Sequence, residues 1–150
     1  MRTVKLKRRT LSLNNVISCT LELRDGDELL GVIDGAADYF REVLVRNGYY
    51  TTSPTVFRVI PGSREFTIMT ALGNRVNLVG DSTAGFEFNE HLEVATDYFY
   101  RHSDVEAPVP YDELEKSVDA AGANVLSIYH VILDLYGDVV LDLYVEADPR

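Results

Sequence analysis

The chain has 150 residues, 46% of them hydrophobic and 25% charged, with a formal net charge of −10. That composition supports one well-buried core and leaves too little chain for two large domains. Arg2, Lys5, Lys7, Arg8 and Arg9 hold five of the 14 basic residues, so residues 10–150 carry nine basic against 24 acidic side chains, a net of −15. A body that acidic repels phosphate backbones and excludes general nucleic-acid binding.

Cys19 is the single cysteine, so no disulfide can form within the chain, and no Cys/His cluster has metal-ligand spacing. The basic N-terminus lacks the apolar stretch of a secretory signal, and no run approaches transmembrane length. The expectation is a cytoplasmic protein with no metal, no cofactor and no membrane partner.

In chain order, TVKLKRRTLSL (residues 3–13) reads as an edge strand whose lysines and arginines guard against sheet pairing. It leads into a strand over 16–23, where Ile17, Cys19, Leu21 and Leu23 alternate with polar residues. After RDGD (24–27), Ile33, Ala36, Ala37, Phe40, Val43 and Leu44 recur at helical spacing, and Asn47-Gly48 stops the helix. TVFRVI and EFTIMTAL flank PGSR as a hairpin, and RVNLV (75–79) reads as an extra strand. GDSTAG (80–85) is the one linker-like stretch and marks the boundary between two halves.

The second half opens with a long strand ending near Tyr100. PYDELEKSVDAAG follows, with proline at a helix start, acids in the first turn, and a thin apolar stripe of Tyr111, Leu114, Val118 and Ala121. SIYHVILDLY and VVLDLYVEA then flank Gly137-Asp138 as a final hairpin. The order strand, helix, strand, strand therefore occurs twice. Laying RDGD over RHSD (101–104) places Ile17, Cys19, Leu21 and Leu23 on Val94, Thr96, Tyr98 and Tyr100. The expected fold is α+β: a single domain, 1–150, built from a duplicated β-α-β-β module, with repeats at about 15–79 and 86–147. Its curved antiparallel sheet carries two helices on one face.

Two such modules in tandem resemble the gyrase-inhibitor-like (GyrI-like) superfamily, which includes the effector-binding domains of MerR- and AraC-type regulators. The likeness covers roughly residues 15–147 and rests on element order. NGYYTTSPTVFRVI (47–60) is also similar to a family of small stand-alone Gram-positive proteins encoded near type VII secretion or polymorphic-toxin genes. No helix-turn-helix precedes the repeats, so the chain is not expected to be a complete DNA-binding regulator.

The superfamily resemblance implies a concave sheet face, opposite the helices, that binds amphipathic small molecules. If Ile17, Leu21, Val94 and Tyr98 lie under the helices, the alternation points Thr20, Glu22, Glu93, Asp97 and Phe99 into that groove. With Val131, Leu133, Leu141 and Leu143 as core, His130, Asp134, Asp142 and Tyr144 join them. The groove would be acidic with aromatic walls, suited to a cationic amphipathic ligand. The same alternation also describes an ordinary water-facing sheet. The leading reading is a non-enzymatic small-molecule-binding protein. The alternative is a protein-interaction module, secretion-associated or toxin-neutralising, acting through its acidity. A hydrolase on the same scaffold has the least support: the three histidines form no nucleophile or metal pattern, so no catalytic residues are assigned. Monomer and homodimer are both open.

Overall fold

The computed structural model describes residues 6–24, 26–27, 29–49, 51–52, 54–73, 86–104, 107–135 and 137–149. The extra strand at 75–79, the linker at 80–85 and Tyr50 lie outside them. The elements run β1 (Lys7–Glu22), α1 (Leu29–Arg46), β2 (Val56–Val59), β3 (Glu65–Ala71), β4 (Phe86–His102), α2 (Tyr111–Ala120), β5 (Ala123–Leu135) and β6 (Asp138–Pro149). The β-α-β-β order thus occurs twice, as the sequence indicates.

Helix α1 ends where glycine allows it. Gly48 sits at φ 77°, its N–H reaches the carbonyl of Val45, and the Tyr49 N–H reaches that of Leu44. This is the paired bonding that closes a helix around a left-handed residue. Gly137, at φ 90°, similarly supplies the positive φ of the tight turn between β5 and β6.

All six strands pair antiparallel and close into a barrel in the order β1-β3-β2-β5-β6-β4. Exchanging the first three strands for the last three returns the same order, so the topology has the symmetry of a duplicated module. A six-stranded barrel is too narrow to enclose a helix, so both helices pack on its outer face. Under α1, Ile33, Phe40 and Leu44 meet Ile17, Cys19, Phe57, Ile68 and Phe86. Under α2, Leu114 and Val118 meet Ile128, Leu141, Leu143 and Val145. A third cluster contains no helix residue: Leu11, Val16, Val56, Met69, Val94, Phe99, Tyr129, Val131 and Tyr144 fill the inside.

Four expectations need correction. The concave sheet face is not an open groove, because closure turns it into the largely filled interior of a barrel. The edge strand and the core strand at the N-terminus are one strand, whose first half pairs with β4 while Val16–Cys19 pair with both β3 and β4. Val94 lies inside rather than beneath a helix. Finally, Val131 and Leu133 do not share a face with Leu141 and Leu143. The register opposes Val131 to Asp142 and Ile132 to Leu141, and antiparallel partners share a face.

Candidate functional site

The strand registers set a row of residues directly opposite one another on the inner face from β1 round to β4; the row does not close, because Phe99 faces Lys7 and not Thr20. Thr20 of β1 faces Thr67 of β3, Thr67 faces Arg58 of β2, and Arg58 faces Tyr129 of β5. Tyr129 in turn faces Tyr144 of β6, and Tyr144 faces Phe99 of β4. The two threonine hydroxyls are 2.9 Å apart, and the Phe99 and Tyr144 rings meet edge-on at 5.0 Å. The phenylalanine and both tyrosines are buried, whereas Thr20 is exposed. The row therefore grades from an open side at Thr20 to a closed one at Phe99.

On the open side, Ser127 donates a 2.9 Å hydrogen bond to Oε1 of Glu146. Arg58 Nη2 stands 3.8 Å from the same oxygen, beyond hydrogen-bonding distance, and the two side chains are 33% and 37% exposed. The Arg58 guanidinium lies over the Tyr129 ring at 5.6 Å. Its Nε is buried without a hydrogen-bond partner. Leaving such a donor unsatisfied costs about 1–3 kcal/mol. Burial pushes the Tyr129 hydroxyl above its ordinary pKa, opposed by Arg58 and reinforced by Glu146. Burial likewise raises Tyr144, opposed chiefly by Arg9. Two residues beyond Thr20, Glu22 stands directly opposite Glu65.

The β4–β6 ladder stops two residues short of Glu146. The ladder between β4 and β6 runs only from Phe99 opposite Tyr144 to His102 opposite Leu141. Past its end, the Thr96 hydroxyl donates to the Val145 carbonyl. On the other side of Tyr144, Arg101 grips Asp142 through two bonds of 2.7 and 2.9 Å, and this carboxylate raises the arginine pKa. The Asp142 side chain is only 3% exposed. Arg9 lies over the Phe99 ring at 4.7 Å. Among the described residues the interior is thus of mixed charge: Glu146 and Asp142 each stand beside an arginine, while Glu22 and Glu65 at the rim face each other.

Of the sequence-predicted residues, the structure puts Phe99 and Tyr144 in contact, with Asp142 two residues from Tyr144 on the same face of β6, and puts Thr20 and Glu22 at the open end of the row. The other four lie elsewhere. Glu93 is exposed on the side of its strand opposite buried Val94. Asp97 is exposed and pairs with Arg8 at 2.6 Å. Asp134 accepts the Gly137 N–H at 2.9 Å and braces the hairpin turn. His130 is fully buried beneath α2, stacked on Phe57 and hydrogen-bonded to Tyr111. It sits opposite Leu143, one residue out of phase with Tyr144, and so belongs to the outer layer.

Arg58, Ser127, Tyr129 and Glu146 were missed. A signal existed: Arg58 interrupts the apolar VFRV, and Glu146 keeps the phase of Tyr144. The three imidazoles are engaged away from this row: His91 with Asn14, His102 with the Ala107 carbonyl, and His130 with Tyr111 and the Phe57 carbonyl. Among the described residues, no group of His, Cys, Asp and Glu is placed to hold a metal ion, and no helix is long and apolar enough to cross a membrane. What the mouth offers is recognition chemistry: a fork of N–H donors, a carboxylate, hydroxyls and aromatic faces.

No family model and no curated protein match the chain. Solved structures do. A crystal structure of the EcmrR C-terminal domain aligns over 97% of this chain and 99% of that one, at TM-score 0.63 and 12% identity. The fold is that of the EcmrR C-terminal domain. At that identity the likeness carries architecture alone. A shallow groove also lies outside the barrel, between α2 and β5, lined by Pro61, Asp112, Glu115, Asp119 and Val125 among others. It contains none of the residues singled out from the sequence.

Proposed function

We propose that the protein binds a small amphipathic molecule at the open side of the barrel, without catalysis. The polar end of the ligand lies among Arg58, Ser127 and Glu146, and its apolar body lies on the rings of Tyr129, Tyr144 and Phe99. Thr20 and Glu22 border the entrance. The observation that carries this reading is the buried, partnerless Nε of Arg58 next to a partly open carboxylate. A ligand acceptor would satisfy it. Glu22 opposite Glu65 adds a rim of like charge, which a cationic end on the ligand would relieve. The GyrI-like resemblance, whose members bind amphipathic molecules, points the same way. In this reading the single domain, 1–150, divides into repeats at about 15–79 and 86–147, and buried Cys19 suits the cytoplasm.

A thermal-shift panel of amphipathic molecules tests it. A ligand that binds only the folded state raises the melting temperature, by about 2.7 kcal/mol of stability at a hundredfold excess over Kd. Arg58→Gln and Tyr144→Ala should remove the shift. A panel without shifts, or shifts that survive both variants, ends this reading.

The second reading is a protein-interaction module acting through an acidic surface, in line with the resemblance to proteins encoded near secretion genes. The acidic groove beside α2 favours it. It requires a basic partner whose binding weakens with salt and weakens further when Asp112, Glu115 and Asp119 are neutralised together.

A further inference from the structure

Resting on the ligand-binding reading, we infer that the site selects ligands bearing a carboxylate and that Arg58 is the residue that selects them. Three features of its guanidinium lead there. Its Nε is buried and has no hydrogen-bond partner, and Nη2 on the same edge stands 3.8 Å from the nearest carboxylate oxygen. Nε therefore has no hydrogen bond, and Nη2 meets the Glu146 oxygen only through a long ion pair. That oxygen is held by Ser127 at 2.9 Å, which keeps Glu146 beside the arginine instead of across its fork. The ring of Tyr129 supports the guanidinium plane and fixes the direction in which the edge points.

A planar group with two oxygens satisfies such an edge through two parallel hydrogen bonds. An ammonium group has no acceptor to offer it. The other interior arginine in a carboxylate pair, Arg101, already has this arrangement with Asp142, at 2.7 and 2.9 Å. Arg58 presents the same chemistry without its second partner. A cationic end is compatible, because Glu146 and the Glu22–Glu65 rim lie close by. The class of ligand is accordingly an amphipathic carboxylate, anionic or zwitterionic, with an apolar or aromatic body for Tyr129 and Tyr144.

Calorimetric titration of the intact protein with phenylbutyrate, homophenylalanine and phenylbutylamine tests this, since the three share an apolar body and differ in head group. The two carboxylates should bind at least about tenfold more tightly than the amine, and Arg58→Gln should weaken them by about tenfold to a hundredfold, the value of a charged hydrogen bond. Arg58→Lys keeps the charge, loses the fork, and should behave like the glutamine variant. Circular dichroism of both variants confirms that they fold. Amine binding as tight as carboxylate binding, or a carboxylate preference that persists in both variants, overturns the inference and leaves the binding site standing. Silence from all three probes overturns both.

Discussion

His130 shows how much one side chain's surroundings decide. It is fully buried, its ring stacks on Phe57 at 4.3 Å, and the Tyr111 hydroxyl lies 2.8 Å from Nε2. With Nδ1 facing the Phe57 carbonyl at 3.3 Å, the bonding assigns the proton to Nδ1 and has Nε2 accept from tyrosine. Burial lowers the imidazole pKa from 6.5 to about 4, while burial of Tyr111 pushes its hydroxyl up to about 12. A depressed histidine pKa means that the unfolded chain binds the proton first. The stability contributed by neutral His130 is complete above the unfolded value and is lost as pH falls towards the folded one. For a shift of this size the loss is roughly 3 kcal/mol. Denaturant titrations of wild type and His130→Gln between those two pKa values isolate it: the difference between the two proteins should shrink as pH falls. A constant difference would mean that the folded ring is already charged. The same residue was expected on the ligand-facing side, and that expectation failed because alternation reveals two faces without revealing which is which.

At the scale of the element, Asn15 governs β1. It is the one described non-glycine residue at positive φ, 55°. On either side of it the phase of the strand changes: Leu11 and Leu13 join the interior cluster, and so does Val16, an odd number of residues away. Asn15→Gly should therefore leave stability within about 0.5 kcal/mol, whereas a β-branched side chain at this φ should cost about 1–2 kcal/mol. Equilibrium denaturation of Asn15→Gly and Asn15→Val measures both, and equal stabilities would remove the phase-shift account. A comparable irregularity, where the β1–β4 register shifts between Lys7 and Arg9, explains the limits of the repeat overlay. Leu21 with Tyr98 and Leu23 with Tyr100 agree in packing beneath helices, while Ile17 and Val94 fall on opposite faces. Helix α1, by contrast, was legible almost residue by residue. Its apolar spacing and its glycine stop are local properties that need no partner to be read.

For the molecule as a whole, the interior cluster couples the halves. Leu11, Val16, Val56 and Met69 come from the first module, and Val94, Phe99, Tyr129, Val131 and Tyr144 from the second. Neither module covers its inner face without the other, so unfolding should be a single cooperative event. Cys19 reports on it: burial beneath α1 shields the thiol and pushes its pKa up. Thiol labelling along a denaturant series should share its midpoint with the near-ultraviolet circular dichroism of the tyrosines, most of which belong to the second half. Two separate midpoints would show modules that unfold independently.

The sequence alone determined the order of elements, the helix and its stop, the turns, the duplication and the acidity. Each of these is carried by neighbours within a few positions. Phase and closure needed the tertiary structure. A period of two assigns residues to alternate faces but leaves unnamed which face is covered, and that choice is made by the partner strand. Val131 meets Asp142, Arg58 meets Tyr129, and the first strand meets the fourth. The candidate site depends on those pairings, because Arg58 and Glu146 become neighbours only when the two modules share one barrel.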